Sequence, residues 1–232
     1  SWMNSLSERP VGSRRRSLSE VRRIGIVGGT GPLGRGLAAR LSYKYDVLIG
    51  SREERRARGA AEEVTRLTGR KVRWATNLEA ARASDTAILA LPDQPTSELI
   101  QDLKEELDGK LVISPIVPME MTDGRFTYSP RDSSAAESVA SILDRSRVAA
   151  AFHTVPAPKL LAMGEKLEYT VPVAAERRET FSEVATIVSS IQDLRPLYAG
   201  PLSSARTIEA LTPLLLNLGR LNGMKNLSIR VV

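Results

Sequence analysis

Two short segments near the start of the sequence carry the residue types that bind a dinucleotide. The run Ile24–Gly36 reads I-G-I-V-G-G-T-G-P-L-G-R-G, an apolar strand that leads into a glycine-rich turn and then a helix. Gly29, Gly31 and Gly34 have the G-x-G-x-x-G spacing, which allows a tight turn, close approach of the backbone to a pyrophosphate and close helix packing. Pro32 suits the first helical position, where its missing N–H costs nothing. The segment predicts a pyrophosphate at the N-terminus of that helix.

The second segment, V-L-I-G-S-R at Val47–Arg52, distinguishes between the two nicotinamide dinucleotides. A unit specific for NAD usually ends its second strand in Asp or Glu, which binds the ribose hydroxyls. Here Ser51 and Arg52 occupy that place, and Arg55 and Arg56 follow one helical turn later. A guanidinium can hold a phosphate with two hydrogen bonds, and no carboxylate is present to repel it. The segments together predict NADP(H), with a solvated helix face as the alternative role of the arginines.

Apolar runs and helical patterns alternate along the chain, as in a parallel sheet that is covered on both faces. The strands are predicted at Ile24–Val27, Val47–Ile49, Thr86–Leu91, Leu111–Ile113 and Val148–Phe152. The helices are predicted at Leu33–Leu41, Arg52–Leu67, Thr96–Leu107 and Ser133–Leu143, the last with a capping box from Ser134 to Glu137. Ligands on such sheets lie beyond the carboxyl ends of the strands, where Ser114–Pro118 and His153–Ala157 follow two of them.

The predicted fold class is α/β: a Rossmann-type doubly wound parallel sheet with a small C-terminal α/β domain. We expect residues 1–22 to be a basic, disordered extension, residues 23–150 to be the NADP-binding Rossmann domain, and residues 151–232 to close the cofactor cleft. The elements predicted in this last unit are a strand at Pro172–Ala174, a helix at Glu179–Ile191, a second helix that Ser204 caps and Pro213 kinks, and a strand end at Leu227–Val232.

Composition excludes several classes of protein. The 232 residues carry a net charge of +6, but six arginines and two glutamates, a net of +4, lie in the first 23 residues. The remainder therefore has no strong basic field, and binding to nucleic acid is not expected. The chain has no cysteine, which excludes a cysteine nucleophile and is typical of a cytoplasmic protein. No apolar run approaches the roughly 20 residues that cross a bilayer, so no membrane partner is expected, and neither is a metal.

Along nearly all of residues 22–232 the sequence resembles the NADPH-dependent reductases of coenzyme F420 (F420H2:NADP+ oxidoreductases) of archaea and some bacteria. The matching stretches are Gly28–Gly34, Gly50–Arg52, Ser114–Pro118, Phe126–Ser129, Ser134–Glu137, His153–Ala157, Leu194–Ser203, Glu209–Asn217 and Asn222–Met224. That family has a Rossmann domain and a small C-terminal domain with the cofactor cleft between them. The resemblance implies reversible hydride transfer between NADP(H) and F420, a deazaflavin.

The resemblance also implies roles for residues at the nucleotide. Thr30, Ser51, Arg52 and Arg56 would hold the 2′-phosphate of NADP, with Arg56 where the family often has Lys. Leu33 would lie over the diphosphate.

Further residues follow towards the nicotinamide. Leu91 and Pro92 would border the adenosine and ribose side, and Val117 would border the nicotinamide. Ser114 and Pro118 belong to the same stiff strand-end segment as Val117. After Pro92 the family often has an aromatic residue and a histidine, whereas this chain has Asp93 and Gln94.

The acceptor side is implied by the H-T-V-P-A motif. His153, Val155 and Ala157 would line the face where the deazaflavin ring meets the nicotinamide, and the tail near Leu227 would close over that ring. His153 is the only histidine. It could bind the carbonyl edge of the ring or stabilise its reduced anion, or it could instead fix the strand end through a backbone hydrogen bond. No essential catalytic acid is expected, because the rings carry the chemistry.

Three other functions fit part of the pattern. An NADPH-dependent flavin reductase (FMN or FAD) or ferric reductase would use the same NADPH site, and the sequence does not separate a flavin from a deazaflavin. A hydroxyacid dehydrogenase would need a larger second domain and a catalytic Lys or His–Asp pair. An NADPH sensor would have no need of an acceptor motif.

We also expect a homodimer. The C-terminal unit is too small to bury its own core, and the helix around Ile208–Leu221 has a wide apolar face. The family resemblance points the same way.

Overall fold

The computed structural model describes residues 23–92 and 95–232, which form an eight-stranded sheet between two layers of helices and a separate two-stranded hairpin. The strands are β1 (Arg23–Val27), β2 (Asp46–Ser51), β3 (Arg73–Thr76), β4 (Thr86–Leu89), β5 (Leu111–Ser114), β6 (Met119–Thr122), β7 (Arg125–Tyr128), β8 (Arg147–Ala150), β9 (Tyr169–Ala175) and β10 (Leu194–Gly200). The helices are α1 (Pro32–Leu41), α2 (Glu54–Thr68), α3 (Asn77–Ala83), α4 (Ser97–Asp102), α5 (Ala135–Ile142), α6 (Ala157–Leu161), α7 (Arg178–Ser189) and α8 (Ala205–Asn222).

The strand order in the large sheet is β10-β9-β8-β5-β4-β1-β2-β3. Six of these strands, β3-β2-β1-β4-β5-β8, run parallel in the order of a Rossmann fold. The predicted fold class is thereby confirmed, although the sheet is mixed, because β9 pairs antiparallel with β8. Strands β9 and β10 extend the same sheet, so residues 151–232 continue the architecture of residues 23–150. The division into two domains stays a prediction.

The strands β1, β2, β4, β5 and β8 are buried on both faces, which explains their continuous apolar sequences. Side chains that alternate along each strand belong to two separate cores: Ile24 and Ile26 of β1 face one, and Val27 faces the other. The first core is completed by α1, α2, α6 and α7, and the second by α3, α4, α5 and α8. None of the helices in the described ranges is long and apolar enough to cross a bilayer.

The elements differ from the prediction at several points. The helix predicted over Thr96–Leu107 ends at Asp102 and continues as turns. Helix α8 contains Pro213 as expected, and the kink there stays a prediction, but Ser204 precedes the helix without a capping hydrogen bond from its side chain. The predicted capping box of α5 is present, since Ser134 Oγ accepts a hydrogen bond from the Glu137 amide at 3.1 Å.

The C-terminal residues Leu227–Val232 are not a strand, which corrects the prediction. They lie along β9 through two hydrogen bonds of 2.9 Å, from the Thr170 amide to the Ile229 carbonyl and from the Val231 amide to Thr170 Oγ1. The predicted extension at residues 1–22 and the departure from the family at Asp93 and Gln94 lie outside the described residues.

Candidate functional site

The carboxyl ends of β2, β1, β4, β5 and β8 lie next to one another along one edge of the sheet, because these strands are parallel neighbours. The glycine turn follows β1, residues 90–92 follow β4, residues 115–118 follow β5, whose last residue is Ser114, and residues 151–157 follow β8. The structure therefore brings the predicted segments to one edge. The segment after β5 lies between the nucleotide-binding turn and the H-T-V-P-A motif.

The turn after β1 requires glycine for two different reasons. A Cβ on Gly34 would lie 2.5 Å from the Cα of Gly29, so the first turn of α1 can pack this closely only without a side chain. The Gly29 amide donates to the Gly50 carbonyl at 2.9 Å, which ties the turn to the end of β2. At Gly31 a Cβ would meet no protein atom within 4 Å. Packing does not explain this third glycine, whereas close approach to a pyrophosphate does.

A cavity of about 470 Å³ opens in front of this turn. Ten of the residues predicted at the nucleotide line it: Thr30, Gly31, Pro32, Leu33, Gly34, Ser51, Arg52, Arg56, Leu91 and Pro92. Gly29 is buried behind the turn. The cavity thus gathers the predicted nucleotide residues from the ends of β1, β2 and β4, and their contacts with a bound nucleotide stay predictions.

The electrostatics of this cavity suit an anion. Helix α1 begins there with Pro32, has no side-chain cap and has no acidic residue in its first turn. Arg52 and Arg56 are exposed and form no ion pair within the part of the chain that the structure describes. No carboxylate is among the lining residues that the structure describes. The helix N-terminus and the two guanidinium groups therefore face the cavity uncompensated, which favours a phosphate.

Asn77 is a residue of this site that the sequence reasoning missed. Its Oδ1 accepts a hydrogen bond from the Gly28 amide at 2.9 Å, and its side chain lines the nucleotide cavity. It begins α3, where Thr76 and Glu79 form a capping box. That T-x-x-E pattern is visible in the sequence and would have placed a helix N-terminus here.

A second cavity of about 490 Å³ lies between the loop after β8, α6, α8 and the C-terminal tail. The four residues predicted at the acceptor, His153, Val155, Ala157 and Leu227, all line it. The other lining residues are Thr154, Pro156, Pro158, Thr212, Leu215, Leu216, Gly219, Arg220, Met224, Lys225 and Asn226. The walls are mainly apolar, and no carboxylate is present. We call this space the acceptor cavity.

Ser114, Val117 and Pro118 line neither of the two cavities. Ser114 ends β5, and Val117 and Pro118 follow it, between the end of β4 and the end of β8 in the sheet. This position is compatible with the prediction that Val117 borders the nicotinamide. The contact itself stays a prediction.

Three buried polar side chains at the ends of β5 and β8 have no hydrogen-bond partner in the described structure: His153, through both ring nitrogens, Thr154 Oγ1 and Ser114 Oγ. Burial lowers the pKa of His153 to about 3, and the backbone of Ser114 offsets this only in part, so the imidazole is neutral at physiological pH. Buried polar groups are rarely left unsatisfied in native proteins. Two of these residues, His153 and Thr154, line the acceptor cavity, so the cluster lies directly beside it.

The loop that carries His153 is fixed from two sides. Thr212 on α8 donates to the His153 carbonyl at 2.7 Å, and Ser228 in the tail donates to the Thr154 carbonyl at 2.6 Å. The backbone at His153 and Thr154 is therefore held in place by α8 and by the C-terminal tail. Thr212 was visible in the sequence only as part of a matching motif, because its partner lies 59 positions away.

The fold and the two cavities together define a Rossmann-type NADP-dependent oxidoreductase. Residues 23–118 match the model of the family described as NADP oxidoreductase, coenzyme F420-dependent. The chain is 36% identical over 218 residues to the F420-dependent NADP reductase of Methanothermobacter marburgensis, covering 90% of this chain and 97% of that protein. It is 34% identical, with the same coverage, to the enzyme of that name from Methanocaldococcus jannaschii. The chain belongs to the family of F420-dependent NADP reductases.

Solved structures agree with the fold. A protein from Arthrobacter sp. FB24, described as an F420-dependent NADP reductase, superposes with a TM-score of 0.76 at 21% identity and covers 91% of this chain and 99% of its own. A reductive aminase from Aspergillus terreus in complex with NADPH superposes with a TM-score of 0.59 at 17% identity, over 88% of this chain and 63% of its own.

Proposed function

We propose that this protein transfers a hydride reversibly between NADP(H) and coenzyme F420. The observation that carries the proposal is the pair of cavities at one edge of the sheet, one built for a phosphorylated nucleotide and the other mainly apolar with a neutral imidazole. The three curated relatives, 34 to 36% identical, are named for the same pair of coenzymes. Their names favour F420 over FMN, FAD or ferric iron as the acceptor.

When bound, the two coenzymes supply the hydride donor and the hydride acceptor. The protein has to hold and shield them. Arg52 and Arg56 hold the 2′-phosphate, and the N-terminus of α1 orients the diphosphate. Val155 and Ala157 form one wall of the acceptor cavity, and Leu227 excludes water from it.

His153 contributes hydrogen bonds to the edge of the acceptor ring. Because it is neutral, its ring offers one N–H donor and one acceptor nitrogen. Because burial lowers its pKa, His153 carries no positive charge at physiological pH in the coenzyme-free protein.

The reaction is tested with the purified protein under anaerobic conditions. NADPH carrying deuterium at nicotinamide C4 is supplied with F420, FMN or FAD in separate assays. We expect NADPH oxidation with F420 only, with the label recovered on the deazaflavin. Oxidation with FMN or FAD but not with F420 would replace the proposal by a flavin reductase. No oxidation with any of the three would favour a protein that only binds NADPH.

The acceptor cavity is tested by Ala157→Phe. Ala157 begins α6 and lines the cavity, so a larger side chain would fill the space of the acceptor ring. We expect reduction of F420 to be lost, while the Kd for NADPH stays unchanged in a fluorescence titration. A parallel loss of NADPH binding would show that the two sites are not separate in this way.

The homodimer and a cytoplasmic location belong to the same proposal. Four leucines of helix α8 are exposed: Leu216, which lines the acceptor cavity, and Leu214, Leu218 and Leu221, which form a stripe at spacings of four and three residues. The opposite side of the helix is buried through Ile208, Pro213 and Gly219. An exposed apolar stripe of this kind is typical of a helix that packs against a second copy.

A cytoplasmic location would be consistent with the absence of cysteine and is tested by cell fractionation.

A further inference from the structure

The two cavities are bounded by the N-terminal ends of two helices. Helix α1 begins at the nucleotide cavity with Pro32 and Leu33, and α6 begins at the acceptor cavity with Ala157 and Pro158. Both helices pack on the same core, on one face of the sheet. Helix α6 has only five residues, so its position depends on what holds its other end.

Arg40 holds that other end. It lies in the last turn of α1, and its guanidinium donates three hydrogen bonds to the C-terminal carbonyls of α6. Nε donates to Leu160 O at 2.8 Å, and Nη2 donates to Lys159 O at 3.1 Å and to Ala162 O at 2.9 Å. Lys159 O and Leu160 O have no partner within the short helix, whereas Ala162 O, directly after it, also accepts a hydrogen bond from the Glu165 amide at 3.0 Å. The planar guanidinium reaches all three carbonyls at once, a geometry that the single ammonium group of Lys does not reproduce.

A second contact fixes the same two helices at close range. A Cβ on Gly36 would lie only 2.7 Å from the Cβ of Leu160, which is fully buried. The backbone of α1 therefore approaches α6 as closely as glycine permits. The contact and the Arg40 hydrogen bonds leave the two helices little freedom to slide past each other.

We propose that Arg40 is a positioning residue for hydride transfer, which fixes the wall of the acceptor cavity relative to the nucleotide-binding turn. The inference rests on the proposed function, since it concerns the distance between the two rings. Hydride transfer requires the reacting atoms to lie about 3–3.5 Å apart, and a displacement of about 1 Å can lower the rate roughly 100-fold. Arg40 lines neither cavity, and its side-chain hydrogen bonds all go to α6 and the residue directly after it.

The test is Arg40→Gln, assayed with NADPH and F420 in single-turnover experiments. We expect the rate of hydride transfer to fall about 10- to 100-fold, while the Kd for NADPH is unchanged. Arg40→Lys should recover part of the rate, because it keeps a cationic donor at the end of α6. Arg58→Gln, which removes an exposed arginine that pairs with Glu62 on α2, is the matched control and should change neither quantity.

Gly36→Ala tests the same geometry without altering Arg40. The added methyl group should push α6 away from α1 and lower the hydride-transfer rate in the same way, again without loss of NADPH binding. A normal rate in both Arg40→Gln and Gly36→Ala would overturn the inference. So would a loss of NADPH affinity equal to the loss of rate, which would indicate a general structural role. Failure of the unmodified protein to reduce F420 would instead overturn the proposed function, and this inference with it.

Discussion

The guanidinium of Arg52 lies at the end of β2, exposed at the edge of the nucleotide cavity, with no ion pair among the residues that the structure describes. A hydrogen bond to a charged group contributes about 1.5–3 kcal/mol. We predict that Arg52→Ala raises the Kd for NADPH roughly 10- to 100-fold and leaves the Kd for NADH almost unchanged. Calorimetric titration of both nucleotides measures this difference.

Arg55 provides the control for that experiment. It is also exposed at the start of α2 but does not line the nucleotide cavity. The Arg55→Ala variant should therefore bind NADPH and NADH with the same Kd values as the unsubstituted protein. If Arg52→Ala raised the Kd for NADPH and the Kd for NADH equally, Arg52 would not be a ligand of the 2′-phosphate.

His153 should make the stability of the coenzyme-free protein depend on pH in a defined direction. Its pKa is about 3 in the folded protein, against an ordinary value of 6.5. Between these values the unfolded chain binds more protons. The contribution of His153 to the free energy of unfolding is therefore fully present above pH 6.5. It decreases as the pH falls towards 3, by up to about 1.4 kcal/mol per pH unit.

We predict that His153→Asn loses less stability than the parent on acidification from pH 6.5 to pH 5. Urea unfolding at a series of pH values gives the free energy of unfolding for both proteins. Parallel curves for the two proteins would show that His153 titrates normally in the folded state. The difference between the two curves isolates His153 from the carboxylates, which titrate in both proteins.

Among elements, α8 depends on one buried carboxylate. Glu209 accepts hydrogen bonds from the amides of Ala135 and Ala136 at 2.8 and 3.2 Å, and from Tyr128 Oη at 2.9 Å. Burial raises the pKa of Glu209, and these three donors oppose that shift. The carboxylate thus occupies the N-terminus of α5 and joins it to α8. An anionic ligand therefore has no free place at this helix end.

Removing the Glu209 carboxylate should destabilise the folded protein strongly. Glu209→Ala would leave two buried amides and a phenol without partners, and we predict a loss of roughly 2–5 kcal/mol in the free energy of unfolding. Glu62→Ala, which breaks an exposed pair with Arg58, should cost only about 0.3–0.5 kcal/mol. Chemical denaturation of both variants tests this, and similar small losses would contradict the role of Glu209.

The elements that the sequence predicted are those with a local signal. The apolar strands β1, β2, β4, β5 and β8 were predicted because each is buried on both faces. Strand β3 (R-W-A-T) was missed because it is a short edge strand, with Trp74 exposed. The β6–β7 hairpin was also missed, although Asp123-Gly124 is a sequence signal for a hairpin turn. Both residues adopt the positive φ of a type I′ turn.

The candidate site was predictable to the same extent. The glycine turn and the Ser51–Arg52 pair are each contiguous in sequence, and both line the nucleotide cavity. Glu209 resembles an ordinary surface charge within a helix, and its partners lie more than 70 positions away. Arg40 likewise contacts α6 some 120 positions later. Such contacts arise from the topology of the sheet, which single-sequence patterns do not encode.

At the scale of the whole molecule, the exposed stripe of α8 predicts the assembly. We expect the protein to have the mass of a dimer in light scattering at micromolar concentration. Leu218→Glu combined with Leu221→Glu should produce a monomer, because charged side chains would be buried unpaired in the interface. Leu67→Glu, at an equally exposed leucine of α2, is the control and should leave the mass unchanged. A monomeric parent protein would exclude the dimer.

Helix α8 also supplies Leu215 and Gly219 to the acceptor cavity, and its Thr212 fixes the loop of His153. If the opposite side of this helix binds a second copy, association and occupancy of the acceptor cavity are thermodynamically linked. Dilution would then weaken the affinity for F420 before it affects the affinity for NADPH, whose cavity receives no residue from α8. The turnover number per chain would then rise with protein concentration. The amount of enzyme in the cell would determine the activity of each chain as well as the number of chains.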